Sequence, residues 1–274
     1  MRQRKNLSRG GMTLREEIKQ KKGVATLYVV LRILVILVMV AQFLNGNFEN
    51  VFLCILTLIL FLVPTFIERK IRIDLPDTLE VIILLFIFAA EILGEIQAYY
   101  ITFPYWDTML HTLNGFLCAA IGFALVDILN RSERFSISLS PLFLALVAFC
   151  FSMTIGVLWE FFEFGMDEMF GLDMQKDTVM TGISSTLLDP SGSQHPQRID
   201  RIESVEVNGQ ELGVGGYLDI GLRDTMGDLF VNFVGALVFS VIGYRYLKSK
   251  GEGRFVRRFV PTPAPPDDVE TLTI

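Results

Sequence analysis

The stretch LFLALVAFCFSMTIGVLWEFFEF, residues 142–164, sets the character of the whole chain. Its first 18 residues, Leu142 to Trp159, carry no charge. As a helix rising about 1.5 Å per residue they would extend about 27 Å, close to the roughly 30 Å hydrocarbon core of a bilayer. The run then meets Glu160 and Glu163 with phenylalanines on either side. An ionisable group inside a spanning helix costs roughly 2.5–3.5 kcal/mol at the bilayer centre, so its presence points to function.

Five further apolar stretches of comparable kind lie at 24–44, 51–67, 79–101, 106–129 and 224–247, in a chain that is 51% hydrophobic and 20% charged. None shows the alternating pattern of membrane barrel strands, and a helix satisfies its own backbone in lipid. The expected fold is therefore an all-α membrane protein with six transmembrane helices and no separate soluble core. The apolar core of the first span is too long for a cleavable signal peptide, and no small-residue cleavage site follows it before Gln42 and Asn45. Cys54, Cys118 and Cys150 all fall within spans and read as buried small hydrophobes, without disulfide or zinc spacing.

Orientation follows from Lys and Arg, which favour the cytoplasmic side. Eight precede the first span, three lie in the 68–78 loop, two in 130–141 and six from Arg245 onward, whereas the alternate loops hold only four, all in 165–223. Both termini are expected inside, and the bacterial cytoplasmic membrane is the expected location. The division is a basic cytoplasmic segment 1–23, a transmembrane domain 24–247 with an extracytoplasmic insert 165–223, and a cytoplasmic, disordered tail 248–274. The basic segment suits the membrane surface, and no motif for nucleic acid accompanies it. Within the insert, Val205 to Leu212 alternates around Asn208-Gly209, the signature of a tight β-hairpin, with a turn cluster at Asp189–Pro196.

Polar residues recur in four spans: Glu91 and Glu95; Asp107, His111 and Asn114; Glu160 and Glu163 with Asp167 beyond; Asp224, Asp228 and Asn232. In the expected topology all four sets lie at the outer level, near the ends of outward-running helices or the starts of inward-running ones. Spacings of three and four residues place each pair on one helix face. A shared pocket opening outward is the expectation. Location at the water interface accounts for Asp107, Asp167 and Asp224 but poorly for the deeper residues. So many carboxylates beside one imidazole need neutralising, by protons, a metal ion or a cationic substrate. Asp107, His111, Glu160, Asp224 and Asp228 are the candidate ligands of a divalent cation, with Glu91, Glu95, Asn114 and Asn232 completing the pocket.

Smaller features point to packing. Gly115, Ala119, Gly122, Gly235 and Ala236 allow close helix approach. Tyr99, Tyr100, Tyr105, Trp106 and Trp159 suit an aromatic belt. His195 reads as an exposed loop residue, and Arg32 in the first span calls for a carboxylate partner on a neighbouring helix.

The segments Trp106–His111, Trp159–Glu163 and Asp224–Gly235 together resemble the uncharacterised YjdF-type family of bacterial polytopic membrane proteins. More distantly the chain is similar to VanZ-like proteins, although Thr108 stands where those usually carry Lys. The resemblance covers roughly 75–245 without the 171–215 insert. It implies a polytopic protein with a polar site and names no reaction. Three functions fit the residues: a metal-dependent hydrolase acting on an envelope or lipid-linked substrate with His111, Glu160, Glu163 and Asp228 as catalytic groups; a proton-coupled transporter; or a non-catalytic scaffold or sensor.

Overall fold

The structure, a computed structural model, describes residues 22–71, 73–131, 139–249, 258–259 and 262–263. Most of the expected basic segment 1–23 and of the tail 248–274 lies outside these residues. The described chain is mostly helical, and five helices are long and apolar enough to cross a membrane: Lys22–Leu44, Phe48–Arg69, Trp106–Asn130, Pro141–Phe170 and Leu222–Lys248. The chain divides into two compact units, Met1–Met153 with Val231–Ile274, and Thr154–Phe230.

In the first unit, α1 (Lys22–Leu44) and α2 (Phe48–Leu60) form a hairpin. Gly46, at φ +78°, takes the left-handed conformation the reversal needs. The amides of Asn47 and Asn50 both donate to Gln42 Oε1, at 3.1 and 3.2 Å, and so tie the turn. After α2 the chain continues as α3 (Val63–Ile71) and a two-residue strand β1 (Ile73–Asp74). Among the described residues Arg32 does not meet the expected carboxylate. Its guanidinium donates to the Tyr28 hydroxyl at 2.7 Å and lies over that ring at 4.3 Å from the centroid. Tyr28 in turn donates to the Phe61 carbonyl at 2.9 Å. An aromatic face and a phenolic oxygen together stabilise the cation without a second buried charge.

The stretch expected as the third span is not one uniform helix. It begins as α4 (Asp77–Phe88) and passes into a π-helical segment, Ala89–Ile96. Ala98, at φ +56°, ends that segment and a short α5 (Tyr99–Thr102) follows. The Tyr100 ring packs where a Cβ on Gly94 would lie, so the glycine admits the ring against the widened turn. This interruption leaves the expected third span out of the helices that satisfy length and apolarity among the described residues.

α6 (Trp106–Arg131) and the first part of α7 (Pro141–Phe170) complete the unit with the later part of α8 (Leu222–Lys248). A Cβ on Gly115 would collide with the Asn232 carbonyl, and one on Gly235 with the Thr112 carbonyl. Two backbones in contact exclude any larger residue, the geometry that small residues permit in membranes. Phe116, Phe123 and Phe239 pack edge-to-face beside this crossing. Further along the chain, Phe259 meets Phe116 at 5.5 Å, and β8 (Thr262–Pro263) pairs antiparallel with β1. Cys54 is buried as expected, whereas Cys150 lies on an exposed helix face. A lipid-facing thiol needs no burial within the protein.

The second unit contains the end of α7, the start of α8 and the polar insert between them. β2 (Thr178–Met180) pairs with β7 (Tyr217–Asp219), and β3 (Gly182–Ser185) with β4 (Gln197–Asp200). The expected hairpin is present as β5 (Glu206–Val207) and β6 (Gln210–Glu211). Asn208 and Gly209 have φ of +53° and +80°, as a two-residue primed turn requires. In the turn cluster, Asp189 accepts from the Ser191 hydroxyl at 2.6 Å and amide at 3.0 Å, from the Ser193 hydroxyl at 2.9 Å and from the His195 amide at 3.3 Å.

Two outcomes follow. Gly235→Ala should destabilise the protein by about 1–3 kcal/mol through overpacking, seen as a lower thermal midpoint in detergent. Gly227→Ala on the same helix, where nothing lies within 4 Å, should be neutral or raise it. The Ser191 and Ser193 hydrogen bonds hold the Asp189 carboxyl down to a pKa of about 2. Because the folded value is depressed, its contribution is present above the ordinary carboxylate range and lost as pH falls through about 2. Protection of the Ser191 and His195 amides, taken as exchange relative to their intrinsic rates at each pH, should fall across that window in the wild type, and already be lost at neutral pH in Asp189→Ala.

Candidate functional site

The polar residues of the first unit gather on α6, α8 and the π segment. Asp107 occupies the first turn of α6, where the helix dipole favours a negative charge. One turn on, His111 Nε2 lies 3.4 Å from Asp107 Oδ1, and the imidazole is buried. Asn114 Nδ2 donates to Asn232 Oδ1 at 3.1 Å, and Asn232 Nδ2 reaches Met153 Sδ at 3.6 Å. Cys118 Sγ donates to Asn114 Oδ1 at 3.4 Å. Asn232 is only 1% exposed, so these contacts are what permit an amide there. Ser152 donates to the Gly115 carbonyl at 2.8 Å and pins α7 to α6 two turns before Glu160. Glu91 is 3% exposed and Glu95 half-buried, both on the π segment.

The second unit holds the acids of α7 and of the first turns of α8. Glu160 and Glu163 are 4% and 8% exposed, and their carboxylates offer oxygens within 4.8 Å of each other. Asp228 is buried too. The outermost acids are engaged differently. Asp167 accepts from the Met174 and Gln175 amides at 2.6 and 2.8 Å, and Asp224 Oδ2 accepts from the Lys176 amide at 2.7 Å. Gln175 Nε2 also donates to Thr225 Oγ1 at 2.5 Å. The loop leaving α7 is thus tied back to the end of α7 by the Asp167 carboxylate and to the start of α8 by Asp224 and Thr225. Asp224, a candidate metal ligand by sequence, has this structural task.

Sequence reasoning missed the loop's part in this arrangement. Its donors are the backbone amides of Met174, Gln175 and Lys176, which every residue type provides, so no sequence signal marks them. Ser152 and Met153 did carry one, as polar or polarizable groups in an apolar run. Tyr99 packs edge-to-face on Phe103 and Trp106, with Tyr99 5.0 Å from Trp106.

Residues 26–249 match the model of a family described as predicted membrane protein, DUF2238. The chain belongs to that family. This agrees with the YjdF-type resemblance and makes it an integral membrane protein. A Thermotoga maritima protein, described as uncharacterized, is 25% identical over 126 residues, taking in 46% of this chain and 61% of that relative. No solved structure matches the chain. The DUF2238 match runs through every polar segment above, from Glu91 to Asn232.

Removing the Asp224 carboxylate should free the loop. A hydrogen bond to a charged group contributes about 1.5–3 kcal/mol, so Asp224→Ala should raise tryptic cleavage after Lys176 about tenfold or more. Asp228→Ala should leave that rate unchanged.

Proposed function

We propose that this protein is a six-span enzyme of the bacterial cytoplasmic membrane, with both termini inside. Its proposed activity is divalent-metal-dependent hydrolysis of an envelope or lipid-linked substrate at the outer leaflet. The observation that carries the reading is the buried His111 beside a half-buried Asp107 on α6, in a protein that also buries Glu160, Glu163 and Asp228 in spanning helices.

Helix periodicity supports drawing these groups into one site. Ser152 and Gly115 mark where α7 meets α6, and Asn114 and Asn232 where α6 meets α8. His111 lies four residues before Gly115, Asp228 four before Asn232, and Glu163 eleven after Ser152. Each spacing returns to nearly the same helix face. Glu160 is one turn back from Glu163. One imidazole with carboxylates is a donor set for Zn²⁺, Mn²⁺ or Mg²⁺. The ion would neutralise part of the acid surplus and lower the pKa of a bound water. Glu160 or Glu163, whichever is not a ligand, would take that water's proton as general base. Asp228 is the ligand expected from α8, since the Asp224 carboxylate holds the loop.

The inward termini are supported by the Lys/Arg distribution and by the β1–β8 pairing, which brings residues 73–74 and 262–263 together. A second reading, a proton-coupled transporter, draws support from the π segment that interrupts the third span.

The deciding measurement is the metal content of the detergent-purified protein beside His111→Ala and Glu160→Ala. The enzyme reading expects stoichiometric divalent metal in the wild type and its loss in His111→Ala. Absence of metal from wild-type protein purified without chelator would sink it in favour of transport.

A further inference from the structure

Glu91 is the most deeply buried carboxylate in the described chain, 3% exposed, and its Oε2 has neither solvent nor a hydrogen-bond partner. Among the described residues, the elements that pack on the π segment are α2, α4, α5 and α6, and they carry no Lys or Arg except Arg131 at the far end of α6. Arg32, the cation within α1, is held by Tyr28. The other acidic groups on these elements are Glu95 on the same segment, Glu49 on α2, Asp77 and Glu80 on α4, and Asp107 and Asp127 on α6, with Tyr99 and Tyr100 on α5; the His111 imidazole on α6 is faced by Asp107. An ionised carboxylate in such a place would lose its hydration and gain nothing in return, a cost of several kcal/mol even after relaxation. A carboxylic acid avoids it by keeping its proton.

The backbone adds a second feature. The π segment Ala89–Ile96 replaces one of the tighter α turns, and the Gln97 amide bonds back to the Ile92 carbonyl at 3.1 Å, five residues away. π turns are rare, carry a cost relative to the α-helix, and recur at functional positions. Here the widened turn carries Glu91 in its first turn.

We propose that Glu91 is a proton-binding site within the membrane: a neutral carboxylic acid, presented by the π segment, that takes up and releases a proton as part of the protein's working cycle. The site is separate from the metal reading, and its test does not depend on any bound metal.

The test uses the full-length protein in native membrane vesicles. An apolar carbodiimide such as dicyclohexylcarbodiimide reacts with a protonated carboxyl in an apolar setting. The acid oxygen adds to the central carbon, the proton passes to nitrogen, and rearrangement leaves a stable N-acylurea with nothing expelled. Peptide mass mapping should find one reagent on Glu91, absent in Glu91→Gln and retained in Glu95→Gln. A water-soluble carbodiimide should leave Glu91 unlabelled. Infrared spectra of the purified protein should show the carbonyl stretch of a protonated acid that Glu91→Gln lacks, whether or not chelator is present. The proposal is overturned by label confined to other residues, by equal labelling with the water-soluble reagent, by protection of Glu91 on adding Mg²⁺ or Na⁺ at fixed pH, or by absence of that infrared band from the wild type.

Discussion

Where α6 and α8 cross, Gly115 and Gly235 bring the two backbones together until each fills the space of the other's missing side chain. In lipid no hydrophobic force drives helices together, so close packing and interhelical hydrogen bonds have to hold them. Both operate at this crossing. The Asn114–Asn232 bond lies beside the glycine contacts, and Ser152 of α7 adds a third helix through the Gly115 carbonyl. The polar side chains of these helices take their positions from that crossing. His111 sits one turn along α6 from it and Asn232 of α8 lies at it, so a slip of either helix would turn these groups away from the faces that now carry them.

The fold was legible wherever a physical demand acts on residue type. Apolar runs such as 142–159 cannot be anything but membrane or core, and Asn208-Gly209 forms its turn because both residues tolerate positive φ. What could not be read was the π segment. Its residues are ordinary helix formers apart from Gly94, and the widened turn depends on the Tyr100 ring packing against that glycine. Arg32 shows the same limit. A buried cation signals the need for a partner, but a tyrosine on its own helix meets that need as well as the carboxylate that charge alone suggests.

The candidate site was legible as a set of residue types and less so as a division of labour. Sequence depth separates acids near a helix end from acids a turn further in, but it does not show which of them the backbone already occupies. Asp167 and Asp224 are spoken for by amides at 174–176, in a loop whose composition gives no hint of it. Asn232 could be recognised as out of place in an apolar helix, yet its partners, an amide and a thioether, come from two different helices.

Helix-end electrostatics sharpen that division. A carboxylate is stabilised in the first turn of a helix and disfavoured in the last, by about 0.3–1 kcal/mol at exposed positions. Asp107 and Asp224 stand in first turns, so the dipole alone justifies an acid there. Glu160 and Glu163 lie about two to three turns before the C-terminus of α7, beyond the reach of its dipole, and both are buried. Asp167, in the last turn, does face an opposing dipole and is compensated by two amide donors. Neither helix formation nor membrane insertion gains from glutamates at 160 and 163. Their place inside a membrane helix, unlike that of the acids at helix starts, is what the proposed function has to account for.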